Sequence, residues 1–294
     1  VTDLAEDRYN ELVREVADAT LFPTATTWYM GDNIPGKPRT PLSLFTGAPM
    51  YRAICAEVET TGYAGFSFDG ENRPLSSLIK LDGSAVFFLA GLQNMGAKPL
   101  EDCTLEEARA AMESFKLMQL PVADDVIIVD ARYPIEGAHR KVRLYRPPIE
   151  GPLPVVVFNH GGGWIGGSLD LYDEPCATLA HRVGAVVVSP DYRLAPEHPF
   201  PAATDDTVAA VRWAADHITE FGGDPERIAV AGESAGANLA AVVALRLRDE
   251  GGPLLRAQVL ITPPVDFLAD TESRRQFAHG PIISMELAMR MASL

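Results

Sequence analysis

The chain has 294 residues, enough for one large or two modest domains, and its 47% hydrophobic and 22% charged composition excludes disorder over most of that length. Against 25 basic residues stand 40 acidic ones, a formal charge of -15 that opposes binding to nucleic acid or to an anionic membrane surface. Cys55, Cys103 and Cys176 are widely spaced, with no CxxC or Cys/His cluster to hold zinc, so they read as reduced thiols of a cytoplasmic protein. No apolar run approaches the ~20 residues that span a bilayer.

In chain order, residues 2–21 predict a helix, with Leu4, Leu12, Val16 and Ala19 at helical spacing. A Pro- and Gly-rich stretch fills 23–49, a short helical run covers 51–60, and the polar, turn-rich segment 68–74 marks a domain boundary. The expected organisation is therefore residues 1–70, a linker with helices over 71–120, and an α/β core over 121–294. The next helix opens on Thr104 and Glu107, a capping-box pair, with Leu105, Ala108, Met112, Phe115 and Met118 along one face. Beyond Pro121, short β-rich runs appear at 126–129, 142–145, 155–158, 185–188, 228–230 and 258–261. Several are apolar on both faces, as buried parallel strands are. Helical segments separate the last four; one, at 205–221, turns Val208, Val211, Ala215 and Ile218 inward and ends on Gly222 and Gly223. This alternation predicts an α/β fold, a mostly parallel sheet with helices on both faces.

The sharpest chemical signal is Gly232-Glu233-Ser234-Ala235-Gly236, between the strand at 228–230 and a helix at 238–249. A serine on a tight strand-to-helix turn needs glycine on both sides, because the backbone packs too closely there for a Cβ. Its hydroxyl then stands clear of the sheet near a helix N-terminus, which favours developing negative charge. The second signal is His160-Gly161-Gly162-Gly163-Trp164, directly after the strand at 155–158. Glycines in such a loop free backbone N–H groups to face an oxyanion, and the N–H after the nucleophile, here that of Ala235, completes the hole. A rival reading exists: Gly161, Gly163 and Gly166 also satisfy G-x-G-x-x-G after a strand, with Asp191 past the next one. That fingerprint needs its last glycine inside a helix, whereas Ser168, Leu169 and Asp170 intervene here.

The two motifs together resemble the hormone-sensitive-lipase-like esterases of the α/β-hydrolase fold. The resemblance covers roughly residues 75–294 and includes HGGGW at 160–164, PDYRLAPEHPFPAA at 190–203 and GGDPERIAVAGESAGANLA at 222–240. It implies a carboxylic ester hydrolase working through an acyl-enzyme on Ser234, with Gly162, Gly163 and Ala235 as oxyanion donors and His160 and Gly161 supporting the glycine loop. It also implies a cap formed in part by the helix at 105–120, a small to medium acyl ester as partner, and no cofactor or metal.

The chain departs from that pattern after the nucleophile. The fold's triad runs Ser…Asp/Glu…His, yet only one predicted strand lies beyond Ser234. The downstream histidine is His279, near Asp266 and Asp270, where the family has cap-packing sequence rather than a base. His198 and His160 read as structural, His181 and His217 as helix-surface residues, and His139 as opening a strand. Ser234 without a general base is a poor nucleophile, so we expect a core truncated before its last two strands, cut from a longer polypeptide.

Residues 1–70 have another character. ADATLFPTATTWYMGDNIPGKPR at 17–39 and YRAICAEVETTGYAGFSF at 51–68 resemble the C-terminal end of Baeyer–Villiger flavin monooxygenases. That resemblance implies that Trp28 and Lys37 would border an NADPH site in a complete enzyme, while Asp32 stands where a small residue is usual. Neither glycine fingerprint for FAD or NADPH precedes them, so a flavin site is not expected here. The implied order of chemistry is an oxygenase that makes an ester and an esterase that cleaves it. Two alternatives stand beside hydrolysis: a non-catalytic small-molecule binder on the esterase scaffold, as plant gibberellin receptors are, and oxygenase activity of a parent polypeptide.

Overall fold

A computed structural model describes residues 98–294, except 120, 123, 124 and 281. The helices expected at 2–21 and 51–60, Cys55, and the oxygenase-like segment lie outside the described residues. Within Leu100–Leu294, a single unit, six strands form one sheet in the order β1-β2-β4-β3-β5-β6. They are β1 (Ile127–Ile135), β2 (Ala138–Arg146), β3 (Leu153–Asn159), β4 (Val186–Pro190), β5 (Gly223–Glu233) and β6 (Leu255–Ile261). The hairpin β1–β2 pairs antiparallel, and so does β2 with β4; β4, β3, β5 and β6 run parallel.

Of the parallel strands, β3, β4 and β5 carry apolar runs on both faces because helices cover both. Alternation along each strand sorts the side chains. Val155 and Val157 of β3, and Val186 and Val188 of β4, face α3 (Ala202–His217) and α4 (Ala235–Asp249), where Val208, Val211, Ala240 and Val243 meet them. Phe158 and Val187 turn the other way, onto Cys176, Ala177 and Ala180 of α2 (Asp173–Val183). Each buried valine or leucine contributes about 1.5–3 kcal/mol of transfer free energy, so this double-sided core is the main source of stability. Burial also raises the pKa of the Cys176 thiol, which favours its neutral form.

All six expected strands are present, several of them longer than their apolar runs. Two helices end sooner than expected. The helix opened by Thr104 keeps both capping-box bonds (Glu107 N–H to Thr104 Oγ1, 3.2 Å; Thr104 N–H to Glu107 Oε2, 2.7 Å), yet α1 (Leu105–Ser114) ends sooner and tightens into a 3₁₀ turn, Phe115–Met118. Likewise α3 passes into a 3₁₀ turn, Ile218–Phe221, that ends on left-handed Gly222, while Gly223 already belongs to β5.

Charged residues tie the periphery to the sheet. Arg143 of β2 holds three carboxylates at once, Asp130 of β1 (2.7 Å), Asp170 (2.7 Å) and Asp173 at the start of α2 (2.9 Å). Beyond β4, the loop at 191–198 is fixed by Asp206 of α3, fully buried, which accepts from the Arg193 backbone N–H (2.8 Å) and guanidinium (2.7 Å). The far edge is apolar and open: among the described residues β6 pairs only with β5, and Val259 and Ile261 are 51% and 47% exposed. Among the described residues no helix is long and apolar enough to cross a membrane.

Candidate active site

Strands β3 and β5 are neighbours, but the chain leaves β3 towards α2 on one face and leaves β5 into α4 on the other. Loops that diverge in this way open a crevice at the carboxyl ends of parallel strands, the usual binding position in such sheets. Both sequence motifs flank it. Ser234 sits between β5 and α4 with φ 52° and ψ -120°, a backbone conformation that costs a non-glycine residue about 1–3 kcal/mol. A hydrogen bond from its N–H to the Ile261 carbonyl (2.9 Å) holds the turn. Its own carbonyl accepts from Ala237 N–H (3.0 Å) and Asn238 N–H (3.1 Å), so the helix begins at Ala235 rather than at 238. The flanking glycines are obligatory on steric grounds: a Cβ on Gly232 would strike the Gly236 backbone, and one on Gly236 the Asn159 and His160 carbonyls, all closer than 3.0 Å.

The glycine loop lies against this turn. Gly162 (φ 120°), Gly163 (φ 62°) and Trp164 (φ 60°) all take positive φ, and the Gly162 carbonyl folds the loop by accepting from Ile165 (3.1 Å) and Gly166 (2.9 Å) N–H groups. Gly161 differs, because its N–H is already bonded to Tyr172 Oη (3.0 Å). The N–H of Ala235, in the first turn of α4, has no intrahelical acceptor.

His160 is fully enclosed. Its ring stacks on Tyr192 with centroids 4.2 Å apart, and Nδ1 lies 2.8 Å from the Gly161 carbonyl, so the neutral ring carries its proton there. Tyr192 Oη donates to the His160 carbonyl (2.8 Å). Burial pulls the imidazole down to about 4, against the smaller upward pull of the Gly161 carbonyl, which keeps it neutral at pH 7. The rival dinucleotide reading finds no support in this geometry: no helix begins at Gly166, and Asp191 is bonded to Arg140 (3.0 Å).

Three side chains at the site escaped the sequence reading. Arg109 of α1 donates to the Ile165 (2.6 Å) and Ala195 (3.0 Å) carbonyls and forks onto Glu197 (2.7 Å to each oxygen), tying the helix to both loops. Tyr172 and Glu233 join the glycine loop to the serine turn, with Tyr172 Oη 2.8 Å from Glu233 Oε2. Only Glu233 carried a signal, its position inside the serine motif. Beside the glycine loop, α1 and α5 (Met285–Ala292) enclose an apolar cleft of about 220 Å³ lined by Leu105, Met112, Ile165, Leu287 and Met291.

His279 is exposed; Asp266 caps the Leu268 and Ala269 N–H groups (2.9 and 3.0 Å), and Asp270 pairs with Arg275 (2.5 Å). His181 pairs with Asp125 (3.4 Å), His217 stacks on Trp213 (5.5 Å), and His139 is the second residue of β2. His198 is exposed. Among the described residues no histidine hydrogen-bonds Ser234.

A double-wound sheet with a strained serine at a strand-to-helix turn and a glycine loop beside it defines the α/β-hydrolase class. The family profile described as alpha/beta hydrolase fold matches residues 156–294. Carboxylesterase NlhH of Mycobacterium tuberculosis is 50% identical over 149 residues, covering 50% of this chain and 46% of the relative. Carboxylic ester hydrolase LipN of the same species is 44% identical over 221 residues, covering 74% and 57%. Among solved structures, an esterase of Pyrobaculum calidifontis matches with a TM-score of 0.63 at 38% identity over 70% of this chain and 68% of that one. The chain belongs to this hormone-sensitive-lipase-like family of α/β-hydrolases with esterase relatives. It spans about half the length of the curated relatives it matches.

Proposed function

We propose that this chain carries the nucleophile and oxyanion portion of a carboxylic ester hydrolase, with Ser234 as the nucleophile. The observation that carries the reading is the Ser234 backbone itself, held at φ 52° where glycine would be at ease, next to a loop in which Gly162 and Gly163 also take positive φ. Such strain at a crevice is what an exposed nucleophile requires. In this reading Ser234 Oγ attacks the ester carbonyl carbon as its proton passes to a general base, a role that no histidine among the described residues fills, and Gly162, Gly163 and Ala235 N–H groups receive the developing oxyanion. The alcohol departs with that proton, and water that gives its own proton to the same base then releases the acid from the acyl-enzyme. His160 is no base here, because its ring is buried against Tyr192 and spent on Gly161. The helix α1 acts as part of a cap. An apolar cleft of about 220 Å³ beside the oxyanion loop suits a small acyl or alcohol group better than a long lipid.

Hydrolysis of p-nitrophenyl butyrate by this chain, compared with Ser234→Ala, tests the reading. A rate above that of buffer that disappears in the variant supports it. Equal rates in both, at the level of buffer, would overturn it for this chain.

The oxygenase-like run at 1–70 supports a further part of the proposal, that the hydrolase is fused behind a Baeyer–Villiger monooxygenase whose ester product it cleaves. Its support is sequence resemblance at 17–39 and 51–68. A parent polypeptide purified without flavin absorbance would remove it.

A further inference from the structure

Glu233 and Tyr172 make no bond to substrate in the reading above, yet they are the polar link between the two loops of the crevice. They lie 61 residues apart in sequence. Tyr172 stands at the start of α2, its ring against Phe158 (centroids 6.0 Å apart) and His160 (5.6 Å). Its hydroxyl has one proton and two neighbours, Glu233 Oε2 at 2.8 Å and Gly161 N at 3.0 Å. Burial, and next the charge of Glu233, raise the phenol above its ordinary pKa, so it stays protonated. The O–H therefore donates to Glu233, and the oxygen accepts from Gly161 N–H. Gly161 admits this arrangement only as glycine, since a Cβ there would collide with the Glu233 carboxylate and approach Tyr172 Oη.

We propose that Glu233 and Tyr172 are positioning residues of the hydrolytic site, a strut from the residue before the nucleophile to the first peptide of the glycine loop. The inference rests on the ester-hydrolase reading. Its physical basis is the freedom of the loop: successive glycines at φ 120° and 62° have many conformations open to them. Oxyanion donors act only when held in place beforehand, and a misplacement of about 1 Å costs on the order of 10²-fold in rate. Pinning Gly161 N–H to Tyr172 fixes where the next two N–H groups point. Because the anchor at the other end is Glu233, directly bonded to Ser234 through the chain, the donors and the nucleophile move as one body.

Three variants separate positioning from mere packing. Tyr172→Phe keeps the ring contacts and removes both hydrogen bonds; Glu233→Gln keeps an acceptor for the phenol; Glu233→Ala removes it. Hydrogen exchange of the amides at 161–163 and the kinetics of p-nitrophenyl butyrate hydrolysis are the readouts. In Tyr172→Phe, exchange is expected to rise about tenfold, and kcat to fall about 10- to 100-fold with KM within about threefold. Glu233→Gln should retain more of kcat than Glu233→Ala. Exchange within about twofold of the unaltered chain, or faster exchange with kcat unchanged, would overturn the strut. An unaltered chain that turns over no ester sinks the hydrolase reading instead, and the exchange measurement alone then decides whether the strut exists.

Discussion

The serine turn after β5 and the glycine loop after β3 look alike in sequence, but their glycines answer to different neighbours. At the serine turn the obstacle is main chain: Gly236 faces the Asn159 and His160 carbonyls, and Gly232 faces Gly236. In the glycine loop the obstacles at Gly161, Gly163 and Gly166 are side chains, those of Glu233 and Tyr172, of Met291, and of Met112. Gly162 and Gly167 fold the loop on itself. Main chain cannot rotate away, whereas a methionine thioether can. The turn is thus fixed by the sheet beneath it, and the loop is fixed by what packs over it.

The comparison is broken most directly by adding one methyl group on each side. Gly236→Ala should cost at least about 3 kcal/mol, because the start of α4 must move off the end of β3 to accept it. Gly163→Ala should cost about 1–2 kcal/mol, chiefly from its φ of 62°, since Met291 can give way. Urea midpoints and soluble yield of the two variants check this. Equal losses would mean that the loop is as rigid as the turn.

Between them in size comes the proton dependence of His160, the residue wedged where the two loops meet. Its unfolded ring titrates near 6.5 and the folded one at about 4, so between those values the unfolded chain binds the extra proton. The contribution to stability is complete above pH 6.5 and is lost as pH falls towards 4, about 3 kcal/mol if the ring acts alone. Tyr192 and Tyr172, the titratable neighbours in contact with the ring, stay neutral throughout because burial raises both. Urea midpoints of the unaltered chain between pH 4 and 7 should therefore decline on the acid side, and His160→Gln should flatten that decline. A parallel decline in both would assign it elsewhere.

The turn was far more legible in sequence than the loop's supports. A strand, G-E-S-A-G and a helix are contiguous, so local pattern was enough to find the turn, although Ala235 and Gly236 were read as turn rather than as the first residues of α4. The central strands β3, β4 and β5 were legible because apolar runs buried from both faces have no polar face to confuse them. Their ends were not: β5 starts at Gly223, five residues before its apolar run, because Asp224, Glu226 and Arg227 lie at the solvated end of the strand. Likewise β1 continues through Arg132 and Pro134, both exposed on an edge. Arg109 looked like an ordinary polar position on a helix, since Glu197 lies 88 residues away. The link from Tyr172 to Glu233 likewise spans sequence that no periodicity connects.

The smallest expected effect concerns Ser234 itself and separates strain from chemistry. If the turn is imposed by the surrounding main chain, the φ of 52° is a cost that the serine bears rather than creates. Ser234→Gly should then be more stable than Ser234→Ala by about 1 kcal/mol, because both lose the hydroxyl and only glycine relaxes in that conformation. Glycine also gains freedom in the unfolded chain, which is why the margin stays small. Thermal midpoints of the two variants at one pH decide it. Should alanine prove as stable as glycine, the turn would be adapting to its residue, and the rigid half of the comparison would be no firmer than the loop beside it.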